Sequence, residues 1–280
     1  MATLQLIRED KRKKESTYLS NFAKNVASQE GEDGIIEKIF EIIGTKNKWC
    51  VEFGAHNGHT NSNTWNLINN AGWRSIQIEG DAPRFAQLKD RYQNNQSVIT
   101  INTFVQFEGE NSLDAILERS GAPVDLDFIS IDIDGNDFHI WASLTKFRPR
   151  LVVIEFNQSI PSDILFVQDK NTAVNQGSSL RAFIELGKSK NYELVATTAG
   201  NAFFVLAEDF PKFGIKDNSI DSMHFNGIYE SRLFQLFDGT LVICGCQALI
   251  WKQGFPITQR DIQVLPDAMR RFGVTWQYNP

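Results

Sequence analysis

Five short apolar runs punctuate the first two thirds of the chain, each followed by a segment with helical spacing: Trp49–Phe53, Arg74–Ile78, Ser97–Thr103, Asp125–Ile131 and Leu151–Ile154. Strands that are apolar on both faces belong in a parallel sheet covered by helices on both sides. Five β-α units in this order predict an open, doubly wound, mostly parallel α/β fold. The first predicted helix carries Ile35, Ile36, Ile39, Phe40, Ile42 and Ile43 at i, i+3, i+4, i+7 spacing. Glu32 and Asp33 fall in its first turn, where the helix dipole favours acids, and Gly44 stops it. Further helices are expected over Thr64–Ala71, Pro83–Tyr92, Ser112–Arg119, a segment ending at Leu144, and Ser179–Lys190. Tyr192–Thr197 and Phe203–Ala207 read as an antiparallel hairpin that finishes the sheet.

Within that frame the most informative run is Lys48 to Gly58, a buried strand entering a turn with Gly54 and Gly58. Glycine permits backbone conformations and close approaches that a Cβ would block. A loop at the carboxyl end of a strand is where open α/β sheets bind nucleotides. The spacing is G-x-x-x-G, two residues after Glu52, which is neither the dinucleotide fingerprint nor a phosphate-cradling loop. That disfavours a nicotinamide-dependent oxidoreductase. No Lys follows Gly58, so a triphosphate would lack its counter-charge. The loop suits a nucleoside with little negative charge, such as S-adenosylmethionine; an ordinary strand-to-helix turn is the plainer alternative.

Acidic residues collect at the ends of the predicted strands: Glu52, then Glu79 and Asp81, then Asp132 and Asp134, then Glu155 beside Asn157. Glu79, closing the second strand, is placed to accept hydrogen bonds from both ribose hydroxyls of a nucleoside and to repel a 2′-phosphate. A solvated or helix-capping acid is the alternative for it.

The segments VEFGAHNG, IEGDAPRFAQL, DFISIDIDGND and RLVVIEFN together resemble the class I S-adenosylmethionine-dependent methyltransferases, and among them are most similar to the FkbM-type group. The resemblance spans about residues 28 to 207 and implies a Rossmann-like methyltransferase fold. It also implies that Glu52, Gly54, Ala55 and Gly58 shape the loop at the methionine end of the cofactor. Glu79 would then hold the ribose, with Gly80 and Asp81 or Ala82 near the adenine. The chain departs from the group in having Asp134 where Glu is usual and Gly80-Asp81 where Pro is usual.

Methyl transfer is an in-line displacement that needs alignment of the nucleophile and, in many cases, its deprotonation. Two routes are open. Asp132 and Asp134 with Glu155 and Asn157 offer hard oxygen ligands for Mg²⁺ or Ca²⁺, which would lower the pKa of an acceptor hydroxyl. This set resembles the metal site of catechol- and sugar-type O-methyltransferases. Alternatively His139 or His56 acts as general base without metal. The plainer account of Asp134 and Asp137 is that they cap the next helix. His56 and His59 have no third His or Cys nearby, which argues against zinc. The leading expectation is O-methylation of a sugar, glycan or natural-product hydroxyl. A methyltransferase fold recruited as a non-catalytic binding or assembly module is the rival.

A net charge of −6 argues against a nucleic-acid partner, and Lys11–Lys14 reads as a solvated segment. Cys50, Cys244 and Cys246 read as small core hydrophobes in a reducing compartment. No apolar run approaches the ~20 residues of a membrane span, and the N-terminus lacks a signal-peptide core, so a cytoplasmic protein is expected. Trp65, Trp73, Trp141 and Trp251 are assigned to packing. The expected organisation is an N-terminal arm (1–27), a cofactor-binding methyltransferase domain (28–210) and a capping C-terminal extension (211–280) with a hairpin and a terminal helix. Between Asn157 and Ser178 a long polar loop reads as a substrate lid. The expected partner is a small-molecule or glycan acceptor, and a homo-oligomer is compatible with the sequence.

Overall fold

The computed structural model describes residues 18–224, 232–244 and 257–270. The chain divides into two compact units, one of residues 1–157 with 162–225 and one of residues 158–161 with 226–280. The larger unit is built on seven strands: β1 (Trp49–Phe53), β2 (Arg74–Glu79), β3 (Val98–Asn102), β4 (Phe128–Ile131), β5 (Leu151–Glu155), β6 (Tyr192–Thr197) and β7 (Asn201–Leu206). Their spatial order is β3-β2-β1-β4-β5-β7-β6. The pairings among β1 to β5 are parallel, and β7 runs antiparallel between β5 and β6. This is the doubly wound arrangement expected, with the Rossmann-like methyltransferase strand order.

The helices among the described residues are α1 (Glu32–Ile43), α2 (Trp65–Ala71), α3 (Ala82–Tyr92), α4 (Leu113–Arg119), α5 (Asp137–Ser143), α6 (Leu180–Ser189) and the single turn α7 (Ile220–Met223). Side chains from the strands feed two hydrophobic layers. Val51, Ile76, Ile129 and Val152 pack with Trp141 and Phe183 on one face. Cys50, Phe128, Leu151 and Val153 pack with Ile35, Ile39, Phe40 and Trp73 on the other. Leu19, in a short 3₁₀ turn (Leu19–Phe22) before α1, joins this second layer at 1% exposure. Ser112, Asp81 and Ser179 cap α4, α3 and α6 with side-chain oxygens, which fixes where those helices begin.

The fourth strand is shorter than the apolar run suggested. It begins at Phe128, because Asp127 is fully buried and its carboxylate accepts the N–H groups of Lys46, Asn47 and Lys48. The second unit contains the expected hairpin, β8 (Arg232–Gln235) paired with β9 (Leu241–Cys244), and a 3₁₀ turn at Asp267–Met269. Cys244 is only half-buried there, whereas Cys50 is fully buried as anticipated. Cys246 and Trp251 lie outside the described residues, and among the described residues after β9 the one helical element is the 3₁₀ turn at Asp267–Met269. Among the described residues no helix is long and apolar enough to cross a membrane.

Candidate functional site

All four acidic clusters stand at the carboxyl edge of the sheet, since each closes one of the parallel strands β1, β2, β4 and β5. Glu52 is buried, and its carboxylate accepts hydrogen bonds from Ser62 Oγ (2.6 Å), Thr64 Oγ1 (2.6 Å) and the Asn63 N–H (2.7 Å). It thereby anchors the far end of the glycine loop to the strand that starts it. Burial pushes its pKa up against those hydrogen bonds.

Both glycines take left-handed backbone. Gly54 has φ +74°, and a Cβ there would lie 1.7 Å from the Asp132 carbonyl oxygen. Gly58 has φ +73°, and a Cβ would meet Leu88 and Tyr92 of α3 at 2.7 Å each. The neighbours that demand glycine are therefore the backbone of β4's end and the face of a helix. His56, between them, also has positive φ (49°). Its N–H donates to Glu79 Oε2 at 2.7 Å, while the Asp81 N–H donates to Glu79 Oε1 at 2.7 Å. Glu79 thus ties the first-strand loop to the turn after β2. Asp81 itself caps α3 through Arg84 N–H at 2.9 Å. Beside Gly80, where a Cβ would sit 2.3 Å from the ring, Phe104 leaves β3 with 69% of its surface exposed. No sequence pattern marks Phe104; the parallel pairing of β2 and β3, with Glu79 opposite Asn102, brings it beside Gly80.

Asp132, Asp134 and Glu155 present oxygens that all lie within 4.8 Å of one another. Asp132 and Glu155 are lateral neighbours because Ile131 pairs with Ile154. Burial, then the neighbouring carboxylates Asp137, Asp134 and Glu52, push the Asp132 pKa up to about 8. Glu155 is raised for the same reasons, burial first and then Asp132, Asp137 and Asp134. Three carboxylates with oxygens this close offer a hard-oxygen donor set that fits a cation, Asp134 from the exposed side.

Asp137, grouped with Asp134 as a helix cap, does something more local. Its carboxylate accepts the N–H groups of Ile133 and Gly135, both at 2.9 Å, and so pins the turn that carries Asp134 at φ +57°. Asn157, just past Glu155 at the end of β5, directs its amide Nδ2 to the Gln176 carbonyl. His139 lies on α5 with Nε2 2.8 Å from the Gln168 carbonyl, edge-on to Phe107 and Phe138. The hydrogen bond makes Nε2 a donor there, so that nitrogen is committed to the loop rather than available as a base. The loop between β5 and α6 is bound down by its own hydrogen bonds, and it is less polar than read: Ile164, Leu165 and Phe166 are each at least 36% exposed.

A profile of the methyltransferase FkbM domain matches residues 55–194. That match, on this strand order, defines a class I S-adenosylmethionine-dependent methyltransferase. The chain belongs to the FkbM methyltransferase family, and its cofactor is S-adenosylmethionine. No curated protein matches it. Solved structures with a similar fold include an O-methyltransferase from Bacillus cereus in complex with SAH, at 17% identity and TM-score 0.44 over 71% of this chain and 90% of that one. Another is described as a putative O-methyltransferase from Klebsiella pneumoniae, at 15% identity and TM-score 0.45 over 72% and 89%. A third is the SAH-bound N-terminal domain of EvdMO1, at 12% identity and TM-score 0.42 over 64% and 80%.

Proposed function

We propose that this methyltransferase acts on a hydroxyl of a sugar, glycan or natural product with the help of a divalent cation, Mg²⁺ being the natural choice. The observation that carries the reading is the Asp132–Asp134–Glu155 cluster, whose strongest charged neighbours are further carboxylates. Hard oxygen donors of this kind suit Mg²⁺. Bound there, the ion would lower the pKa of an acceptor hydroxyl. S-adenosylmethionine, when bound, supplies the activated methyl group.

The protein's own residues do the rest. Glu79 keeps acceptor capacity beyond its two backbone N–H bonds, since a carboxylate offers about four lone-pair sites, and that capacity faces ribose hydroxyls. Phe104 offers an apolar face to the adenine. Glu52 and the two glycines set the loop for the methionine end. The excess of carboxylates at this edge favours the sulfonium and ammonium charges over an anionic ligand. Release of SAH from a panel of sugar and phenolic acceptors should require Mg²⁺ and stop in EDTA. Full turnover in chelator would remove the metal from this reading.

A further inference from the structure

The loop after β5 closes on itself around one side chain. Gln168 is 2% exposed; its Oε1 accepts the N–H groups of Gln176 (3.0 Å) and Gly177 (2.8 Å), and its Nε2 donates to the Val174 carbonyl (2.9 Å). Its own N–H donates to Ser178 Oγ, and its carbonyl accepts from His139 Nε2. The folded loop then lies against the Asp134 turn. Asn136 Nδ2 donates to the carbonyls of Asn171 and Val174 at 3.1 and 3.2 Å. A Cβ on Gly135 would come within 2.9 Å of Asn175 Cα and 3.0 Å of Gln168 Oε1.

The turn needs this support. Asp134 holds left-handed backbone, which costs a residue with a side chain free energy and persists where surrounding contacts hold it in place. Asp137 braces the turn from within, and the Gln168 loop braces it from outside. We propose that Gln168 is a positioning residue for the divalent-cation site, holding Asp134 in line with Asp132 and Glu155 through the loop's grip on Gly135, Asn136 and His139. This rests on the metal reading above. The loop is accordingly a fixed strap over the acidic turn in the resting protein.

The test uses the full chain with SAH present and Mn²⁺ as the probe, its binding followed by loss of the free-ion electron paramagnetic resonance signal. Gln168→Ala and His139→Ala should each weaken Mn²⁺ binding about tenfold or more, the usual cost of losing a group that orients metal ligands, with SAH affinity unchanged. Tyr192→Phe removes a buried hydrogen bond to the Pro149 carbonyl at the opposite edge. It should leave Mn²⁺ affinity unchanged, which separates positioning from general loss of stability. Equal Mn²⁺ affinity in wild type and both strap variants overturns the positioning role and leaves the metal reading standing. No Mn²⁺ binding by wild type overturns both. Should Gln168→Ala fail to fold, His139→Ala decides.

Discussion

Glu79 combines two duties that a substitution can separate. Both carboxylate oxygens already hold backbone N–H groups, one in the glycine loop and one in the turn after β2. Removing the carboxylate therefore loosens the loop as well as the proposed ribose contact. Glu79→Ala should weaken SAH binding by about 1–3 kcal/mol, the cost of losing charged hydrogen bonds, as measured by calorimetry. Unchanged affinity would mean that the ribose lies elsewhere. Asp132 permits a pH prediction. Its pKa rises from 3.8 to about 8 on folding, so across that window the native chain keeps a proton that the unfolded chain gives up. Stability from this group is complete in acid below the window and is lost as pH rises towards 8. In EDTA the melting temperature should therefore fall between about pH 5 and about pH 8, less so in Asp132→Asn. Added Mg²⁺ should restore it at the upper end. A wild-type profile parallel to that of the variant would refute the coupling.

The loop glycines show how one sequence signal can be right about place and silent about cause. Gly58 and Gly72 both have positive φ, +73° and +68°, but only Gly58 faces a packed helix; nothing lies within 4 Å of a Cβ on Gly72. Gly72→Ala should cost about 1–2 kcal/mol for left-handed backbone alone. Gly58→Ala should cost about 1–3 kcal/mol more, for displacing Leu88 and Tyr92. Thermal unfolding of both variants checks the difference, and equal losses would discard the packing argument. The strands, helices and edge carboxylates were legible because period, capping residues and burial are local properties of the chain. Asp132 and Glu155 could be nominated together because parallel strands of similar length end side by side. Their company was not legible. That Asp134 turns towards them while Asn157 turns to Gln176, and that His139 is bound to Gln168, depends on contacts 29 and 19 residues apart in sequence. The strap is illegible in the sequence for the same reason: Gln168 looks like any polar loop residue until its four local partners and His139 surround it.

The sheet separates two kinds of polar group. At the carboxyl edge, carboxylates crowd together and repel, an arrangement that costs stability and suits a cation. At the amino edge the opposite holds. Asp127 is fully buried and accepts three successive N–H groups, from Lys46, Asn47 and Lys48, together with Arg150 Nη1 at 3.0 Å. Arg150 is shared with Asp209 at 3.2 Å and with the carbonyls of Ile43 and Gly44. One network thus joins the end of α1, the start of β4 and β5, and the segment after β7. Removing Asp127 would take one carboxylate from Arg150 and leave three part-buried N–H groups without their acceptor. Breaking a buried pair in this way costs about 3–5 kcal/mol, so Asp127→Ala should lower the melting temperature more than any single substitution at the acidic cluster. Below that lowered transition its affinity for SAH should match wild type, because no residue of the network reaches the glycine loop or Glu79. Calorimetric titration of SAH at a temperature where circular dichroism shows the variant folded makes the comparison. A loss of SAH affinity in the folded variant would show that the two edges communicate through β1 and β4, and the division of labour across the sheet would fail.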